Sequence, residues 1–334
     1  MDKSLASQLL DYQFGVKGQN GMPLSIVSLC GPFTTRDNLE YDPLADALVS
    51  ISESKPDVVI MCGPFVDMRQ PLVQSEDGTS EIKNEDGIIE KVSYEQVFAK
   101  KIAILLEELY GNDPEIKTQF VLVPSVEDAI CDSVYPQPPL VDQTPVKVKG
   151  AEEFGSLGLN YVELIGRENV KGYKHKRVHC VSNPCTLRIN ELTIGVTSSD
   201  ILFHISSDET NANLPPGSRL ARIAQHLIQQ RSYYPLFPAA KGACLDLSRA
   251  KQWEMPCQPD ILITPSKLAT FAKQVLNNTI VVNPGELAKN TTGGTYAVID
   301  VHPMKRETLE DGIQADMEMN HAVQDRVRVD IKRI

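Results

Sequence analysis

The sequence predicts an α/β fold with α+β character, in which two β-sheets form a sandwich and helices cover its outer faces. In the first half of the chain, short apolar runs such as Val58–Met61 alternate with segments of helical periodicity, which is typical of strands flanked by helices. In the second half, the runs Leu187–Asn190 and Leu192–Thr197 flank a tight turn and predict an antiparallel hairpin. Together these two patterns favour a two-sheet sandwich.

The composition limits the classes of protein to consider. The 334 residues are 42% hydrophobic, which is ample for a large core. The net charge of -11 argues against an autonomous nucleic-acid binder, because phosphate neutralisation needs a basic face. Seven irregularly spaced cysteines fit a reducing compartment. Since no signal peptide or membrane-spanning apolar run is apparent, we expect a soluble intracellular protein.

In the first half, each predicted strand is an apolar run that ends at a turn, and each predicted helix has one apolar side. The helix Tyr94–Tyr110 has the clearest apolar stripe, and Gly111 follows as its terminator. The other predicted elements are a helix at Pro43–Glu53 and strands at Ser25–Leu29, Val58–Met61 and Gln119–Val123.

After the hairpin, the second half continues with one amphipathic helix and several short strands. The helix is Arg219–Gln230, in which Leu220, Ile223 and Leu227 lie on one side. The remaining predicted elements are strands at Ile261–Thr264 and Thr279–Val282 around a helix near Ser266–Leu276, followed by strands at Thr295–Val301 and Val327–Ile331.

The domain prediction assigns residues 1–24 to a lead-in or linker remnant and residues 25–334 to one domain. Within that domain, residues 74–87 are acidic and poor in apolar side chains, which predicts a disordered loop. The proline-rich stretch Val134–Pro145 is interpreted as an extended chain on the surface. Residues 146–176 are interpreted as an insertion without an assigned role.

Several turns lie where a two-metal phosphoesterase keeps its ligands. Divalent-metal hydrolysis needs carboxylates and imidazoles that converge on one point. Metallophosphoesterases carry Gly-Asp-x-x-Asp at the turn that here reads Gly63-Pro64-Phe65-Val66-Asp67, so Pro64 replaces the bridging Asp. Proline offers neither a side-chain donor nor a backbone N–H. Asp67 alone cannot hold two cations, and we interpret it as a residue that hydrogen-bonds its own turn.

The later turns also lack metal-binding side chains. The third reads Val123-Pro124-Ser125 and the last reads Asn283-Pro284-Gly285, so an imidazole is missing from both. We therefore predict a catalytic fold that has lost its metal site, with no metal and no cofactor. The vestigial positions are expected to line one pocket, and they are Cys30, Pro64, Asp67, Ser125, Asn183 and Asn283.

Two other kinds of site are conceivable in the second half of the chain. His175, His179, Cys180 and Cys185 could suggest zinc, but only the His175/His179 spacing fits a ligand pair, and basic residues surround it. A solvated strand entry is therefore preferred. Cys185 as a nucleophile would need a nearby general base, for which the sequence has no local signature, so a buried thiol is preferred.

An aromatic segment follows the helix Arg219–Gln230. It holds Tyr233, Tyr234 and Phe237 beside two prolines, so it cannot continue the helix. Packing in the core is favoured, but aromatic side chains beside arginine are also typical of protein interfaces. These three residues are therefore the candidate partner-binding residues.

Taken together, these strings resemble the B-subunit family of DNA polymerases alpha, delta and epsilon, on the polymerase alpha branch. The strings occur in family order from about Ser25 to the end of the chain. They are Cys30-Gly31-Pro32-Phe33-Thr34-Thr35, Tyr41-Asp42-Pro43-Leu44, Gly63-Pro64-Phe65-Val66-Asp67, Val123-Pro124-Ser125, Val134-Tyr135-Pro136-Gln137-Pro138-Pro139, Thr197-Ser198-Ser199-Asp200-Ile201-Leu202-Phe203-His204, Arg231–Pro235 and Val282-Asn283-Pro284-Gly285.

The resemblance implies a catalytically inactive, calcineurin-like metallophosphoesterase fold that serves as a scaffold. The implied partner is the C-terminal zinc-binding domain of the polymerase alpha catalytic subunit, with the primase subunits reached indirectly and DNA only weakly or through the complex. The implied place of action is replication initiation in the nucleus. Family members also carry an oligonucleotide/oligosaccharide-binding domain before this one, and the sequence departs from that pattern because only about 24 residues precede the first predicted strand.

Two competing functions remain at the level of sequence. An active metal-dependent phosphoesterase with an atypical ligand set would contain stoichiometric Mn, Fe or Zn and would hydrolyse a phosphodiester. A nucleic-acid-binding module would bind DNA in a salt-sensitive way, against which the net charge of -11 argues.

Overall fold

The computed structural model describes most of the chain. The described residues are 5–15, 18–75, 77–83, 87–113, 116–142, 157–159, 162, 176–210, 212, 217–276, 278–314 and 322–334. The predicted insertion at 146–176 therefore lies largely outside the described residues.

Fifteen strands and seven α-helices are described in this part of the chain. The strands are β1 (Leu24–Cys30), β2 (Val58–Cys62), β3 (Thr79–Lys83), β4 (Ile89–Ser93), β5 (Gln119–Val123), β6 (Val178–Cys180), β7 (Cys185–Ile189), β8 (Leu192–Val196), β9 (Ile261–Ile263), β10 (Phe271–Val275), β11 (Thr279–Asn283), β12 (Ala288–Lys289), β13 (Thr292–Gly293), β14 (Thr295–Val301) and β15 (Val327–Arg333). The helices are α1 (Leu5–Phe14), α2 (Asp42–Ser54), α3 (Tyr94–Val97), α4 (Ile104–Asn112), α5 (Ile201–Asp208), α6 (Arg219–Gln229) and α7 (Arg306–Gln314).

Two larger sheets form the centre of the described structure. The first has six strands in the order β15-β14-β1-β2-β5-β6, in which β1, β2, β5 and β6 run parallel. The second has five strands in the order β10-β11-β9-β8-β7, with antiparallel outer strands β10 and β7. In the parallel register Cys30 lies beside Cys62, and Cys62 beside Val123, so the carboxyl ends of β1, β2 and β5 meet at one edge.

Three layers of buried side chains hold the sheets and helices together. The layer between the sheets contains Ile26 and Ile60 of the first sheet and Ile194 and Val282 of the second. A second layer packs α2 and α4 against the first sheet, and a third packs α5 and α6 against the second. Burial of this apolar surface is the main stabilising term, at roughly 25 cal/mol per Å². The predicted two-sheet sandwich flanked by helices is thus confirmed.

The strands predicted from apolar runs are all present in the structure. All five residues of β2 and all five of β11 are buried, as expected for strands covered on both sides. The predicted helix Tyr94–Tyr110 is present but contains a π-helical segment at Phe98–Ala103 and extends to Asn112. Ser93 and Gln96 begin this helix with a capping box.

The helix predicted near Ser266–Leu276 is wrong. Residues Phe271–Val275 form strand β10, which pairs antiparallel with β11. Its burial alternates, with Phe271 and Val275 buried at the ends and Ala272 and Gln274 exposed, as in a strand with one face on the core. Tertiary pairing with β11 therefore overrides the local sequence pattern.

The two segments predicted to be loops are more ordered than expected. Within 74–87, Thr79–Lys83 is strand β3, which pairs with β4 through buried Ser80 and Val92. Within Val134–Pro145, Tyr135 and Gln137 are buried, so the described part of this stretch packs into the protein rather than lying on its surface.

The ends of the described chain pack against each other, which the sequence did not reveal. Helix α1 lies in the segment predicted to be a lead-in, and Leu9 on it is fully buried. The Gln13 side chain accepts a hydrogen bond from the Met304 N–H at 2.7 Å and so joins α1 to the segment before α7. Among the described residues, every helix is too short or too polar to cross a lipid bilayer.

Strand β15 forms one outer edge of the six-stranded sheet in the described structure. It carries alternating charged residues, including Arg328, Asp330 and Lys332. Arg328 and Asp330 form an ion pair at 2.9 Å.

A cluster of three phenylalanines, in the core layer between the first sheet and its helices, gives a test of this packing. Phe65 is 1% exposed, and its ring centroid lies 5.3 Å from that of Phe33 and 5.5 Å from that of Phe98. We expect Phe65→Ala to lower the free energy of unfolding by about 3–5 kcal/mol, because it leaves a cavity and removes two ring contacts. Urea denaturation followed by circular dichroism measures the change. Val49→Ala on the exposed side of α2 is the control, and a loss below about 1 kcal/mol for Phe65→Ala would contradict the packing.

Candidate functional site

The turns after β1, β2 and β5 are joined by backbone hydrogen bonds. The Gly31 N–H donates to the Cys62 carbonyl at 2.8 Å, and the Gly63 N–H donates to the Val123 carbonyl at 2.8 Å. These bonds continue the parallel ladder beyond the ends of the strands. The three turns therefore form one surface at the carboxyl edge of the sheet.

Glycine is required at two positions in these turns because the backbones approach closely. A Cβ on Gly31 would lie 2.0 Å from the Pro64 carbonyl oxygen. A Cβ on Gly63 would lie 2.3 Å from a carboxylate oxygen of Asp128. Any other residue at either position would force two turns apart.

Asp128 joins the second and third turns. Its Oδ1 accepts hydrogen bonds from the N–H groups of Phe65 and Val66, the latter at 3.0 Å, and its Oδ2 accepts one from the Ser125 N–H at 2.9 Å. The side chain is fully buried, and this burial raises the pKa of Asp128 to about 7 although the backbone donors lower it. Sequence reasoning missed this residue, for which the only local signal was an Asp three positions after Ser125.

Asn183, another of the vestigial positions, is fully buried and hydrogen-bonded on both sides of its amide. Its Nδ2 donates to the Gln137 Oε1 at 3.0 Å, while its Oδ1 accepts from the Thr197 hydroxyl at 3.1 Å and the Ser198 N–H at 3.1 Å. The Ser198 hydroxyl donates in turn to the Pro124 carbonyl at 2.5 Å. Asn183 therefore links the first sheet's turns to the loop after β8.

Asn283, at the end of β11, has a similar role in the second sheet. Its Oδ1 accepts from the N–H groups of Ser266 at 2.9 Å and Gly285 at 3.0 Å. Its Nδ2 faces the carbonyls of Ser266, Leu268 and Ala269 at 3.2–3.3 Å. Both functional atoms of this amide are thus used to shape the loops after β9 and β11.

Two further hydrogen bonds connect the remaining turns, so that the linked turns form a closed ring. The Leu287 N–H donates to the Cys30 carbonyl at 2.8 Å, which joins the turn after β11 to the turn after β1. The Lys267 N–H donates to the Asp200 carboxylate at 3.0 Å, which joins the loops after β9 and β8. We use "turn ring" for the turns at Cys30–Pro32, Gly63–Asp67, Pro124–Asp128, Ser182–Pro184, Thr197–Asp200, Thr264–Lys267 and Asn283–Leu287. All six predicted vestigial positions lie in it.

The Asp67 carboxylate forms an ion pair with an arginine. Its two oxygens accept from the Arg69 Nε at 3.0 Å and the Arg69 Nη2 at 3.1 Å, and its Oδ1 also accepts from the Arg69 N–H at 2.9 Å. Arg69 bridges further to Glu127 at 3.0 Å, and Glu127 lies 3.8 Å from the Lys267 ammonium. Burial raises the pKa of Glu127 and of Glu286, while Arg69 and Lys267 lower both. Two protein cations therefore pair with Asp67 and Glu127 in the turn ring.

The donor set of the turn ring does not fit a pair of divalent metal ions. Burial and the neighbouring Cys62 raise the pKa of the Cys30 thiol well above its usual value, which disfavours its thiolate form. Asp67 is paired with Arg69, Asp128 is saturated by backbone donors, and an imidazole is missing from the six vestigial positions. In the described part of the chain, His, Cys, Asp and Glu side chains form no group of three suited to a metal ion.

Three of the four residues considered for zinc, His179, Cys180 and Cys185, lie in the described part of the chain. His175 lies outside the described residues, and the His179 Nε2 lies 3.0 Å from the Gln119 side-chain oxygen on the neighbouring strand. Burial raises the pKa of Cys180 to about 11 and that of Cys185 to about 12. Cys185 is therefore a protonated thiol at neutral pH, which does not suit a nucleophile.

Two of the three aromatic candidates for partner binding are buried, and the third is exposed. Tyr233 and Tyr234 are buried, so the expectation that they face a partner has to be corrected. The Tyr233 hydroxyl lies 2.7 Å from the Thr186 hydroxyl, and the Tyr234 hydroxyl accepts from the Ala240 N–H at 3.2 Å. Phe237 is 82% exposed and remains available to a partner.

The known proteins to which this chain is similar in sequence belong to one family. The family of DNA polymerase alpha/epsilon B subunits matches residues 26–273. The B subunit of mouse DNA polymerase alpha is 34% identical over 272 residues, which cover 81% of this chain and 38% of the mouse protein. The B subunit of the same polymerase from Schizosaccharomyces pombe is 30% identical over 298 residues, covering 87% of this chain and 44% of that protein. The chain thus spans about two fifths of the length of these relatives.

A solved structure also aligns over most of the chain. The crystal structure of TT1561 of Thermus thermophilus covers 93% of this chain at 12% sequence identity, with a TM-score of 0.34. A likeness at this score does not support an inference about this chain.

The pH dependence of stability tests the role of Asp128. Because burial raises its pKa to about 7 in the folded state, folded Asp128 keeps its proton between about pH 4 and pH 7, whereas unfolded Asp128 has lost it. Stability from this group is therefore fully present below about pH 4 and is lost as the pH rises through about 7. We expect the wild type to lose up to about 1 kcal/mol per pH unit relative to Asp128→Asn over this interval.

Urea denaturation of both proteins at several pH values between about 4 and 8 makes this comparison. At low pH, Asp128→Asn is expected to be destabilised by about 1–3 kcal/mol, because its N–H₂ group places two donors among the backbone N–H groups, against the single O–H of the protonated acid. That difference should shrink with rising pH. A constant difference across the whole range would show that Asp128 is ionised in the folded protein throughout.

Proposed function

Because this chain belongs to the family of DNA polymerase alpha/epsilon B subunits, we propose that it is a non-catalytic accessory subunit of the DNA polymerase alpha–primase complex. In this role it scaffolds the C-terminal zinc-binding domain of the polymerase alpha catalytic subunit during initiation of DNA replication in the nucleus. It reaches the primase subunits indirectly and contacts DNA weakly or through the complex.

The observation that carries the non-catalytic assignment is the bonding within the turn ring. The side chains that a hydrolase would direct toward metal and substrate are used here to bind neighbouring turns, as with Asn183 and Asn283. A general base or nucleophile has to be free to reach a substrate atom. We interpret the ring as a degenerate phosphoesterase site that has become a structural element.

The ion pairs of the ring support the same interpretation. Arg69 and Lys267 supply positive charge beside Asp67 and Glu127, where a metal-dependent hydrolase would use cations. A protein cation cannot lower the pKa of a bound water as a metal ion does, but it can neutralise buried carboxylates. Residues 25–334 are proposed to act as one phosphoesterase-like domain of this kind.

Association with the catalytic subunit is the direct test. We expect this chain to co-elute in size-exclusion chromatography with the C-terminal domain of a polymerase alpha catalytic subunit from the same source. The mouse B subunit of DNA polymerase alpha, tested with the mouse domain, serves as a positive control. Co-elution of the mouse pair without any association of a correctly folded sample of this chain would contradict the scaffolding role.

The competing phosphoesterase function predicts a different outcome. In that case the purified chain would retain stoichiometric Mn, Fe or Zn and would hydrolyse bis-p-nitrophenyl phosphate. Asp67→Asn is the diagnostic variant and Asp77→Asn, on an exposed residue before β3, is the matched control. We expect no hydrolysis above the rate of a blank in the wild type or either variant. Metal-dependent turnover abolished only by Asp67→Asn would establish an active site.

A further inference from the structure

A solvent-exposed surface around Phe237 is basic, although the chain as a whole is acidic. We use "basic ledge" for residues 236–252, which contain Lys241, Arg249 and Lys251 and one acidic residue, Asp246. The segment is thus net positive in a chain of net charge -11. Two large apolar side chains project from it, Phe237 at 82% exposure and Leu247 at 61%.

Backbone hydrogen bonds and aromatic contacts anchor the basic ledge to the rest of the protein. The Tyr135 N–H donates to the Cys244 carbonyl at 2.9 Å, and the Asp246 N–H donates to the Tyr135 carbonyl at 2.8 Å. The Tyr135 ring packs 5.7 Å from the Tyr234 ring and 5.9 Å from the Trp253 ring. The exposed side chains therefore project from an anchored backbone, which lowers the entropy cost of binding a partner.

The cations of the basic ledge are largely available to a ligand. Arg249 lies 3.3 Å from Asp246, which is an exposed pair of low strength. Lys241 and Lys251 are exposed and form no ion pair with any described residue. Along this one anchored segment the two exposed apolar side chains are interspersed in sequence with three exposed cations, a composition that is complementary to negative charge next to apolar side chains.

We propose that the basic ledge docks an acidic peptide segment of a partner protein, with apolar side chains of that segment packing on Phe237 and Leu247. The acidic residues of the segment pair with Lys241, Lys251 and Arg249. This inference does not depend on the proposed function, because it rests on charge and exposure at a surface outside the turn ring.

A single-stranded nucleic acid is the less favoured occupant. Strand-binding surfaces stack successive bases on several aromatic rings along a basic groove. The basic ledge exposes one aromatic ring, that of Phe237, since Trp253 is buried. Leu247 offers apolar contact that suits a peptide side chain better than a base.

Fluorescence anisotropy with a synthetic probe tests the proposal. The probe is a fluorescein-labelled peptide of about sixteen residues, made of Asp and Glu with Leu or Phe at every third or fourth position. We expect saturable binding that weakens severalfold between about 50 and about 300 mM salt, because exposed charges are screened. A peptide with every Leu and Phe replaced by Ser, and an oligothymidylate of similar charge, are the comparison ligands.

Variants locate the binding on the basic ledge. We expect Phe237→Ser and the double variant Lys241→Glu/Lys251→Glu each to weaken binding of the acidic probe about tenfold or more. Val49→Ser and Lys305→Glu, on exposed residues outside the ledge, are the matched controls and should leave binding unchanged. All these side chains are exposed, so circular dichroism and urea denaturation should give wild-type results and exclude unfolding as the cause.

Several results would overturn the proposal. They are the absence of saturable binding at submillimolar peptide, equal binding by the ledge and control variants, or tighter binding of oligothymidylate than of peptide. The last result would make the basic ledge a nucleic-acid surface. Association with the catalytic-subunit domain, measured with the same variants, is a separate readout, so failure of one proposal leaves the other open to its own test.

Discussion

The three hydrogen bonds that the Asp128 carboxyl group accepts are the interaction on which the turn ring depends. Buried backbone N–H groups need acceptors, and the turns after β2 and β5 point theirs at a single side chain. Without that acceptor, the N–H groups of Phe65, Val66 and Ser125 would be left unsatisfied where water is excluded. The carboxylate thus permits two loops to meet over the ends of parallel strands, and Gly63 leaves it the space to do so.

Elsewhere in the turn ring, neutral amide side chains satisfy the backbone and side-chain groups of neighbouring turns. Asn183 and Asn283 each donate and accept from one buried position. Asn183 ties the turns of the first sheet to the loop after β8 in the second sheet, and Asn283 ties together the loops after β9 and β11. In this chain Arg69 completes the turn ring by pairing with Asp67 and Glu127.

The sequence predicted strands most directly where both faces of a strand are buried. β2 and β11 are buried on both faces, and so their apolar runs could be recognised directly. It was misleading where a partner strand decides the conformation, as at Phe271–Val275, whose alternation is short and interrupted by polar residues. The turns could be located from their glycines and prolines, but the bond network could not, because Asp128 finds two of its donors more than sixty residues away. Burial of Tyr233 depends in the same way on packing against Thr186.

The outer strand β15 has a consequence for behaviour at high concentration. An uncovered strand edge can template pairing with a second copy, and alternating charged side chains are a known protection against such growth. Arg328, Asp330 and Lys332 place that protection at the end of the six-stranded sheet. Two copies that paired edge to edge would have to desolvate several charged side chains at the same time. Within the described structure, this charge pattern therefore disfavours polymerisation of the protein through the β15 edge.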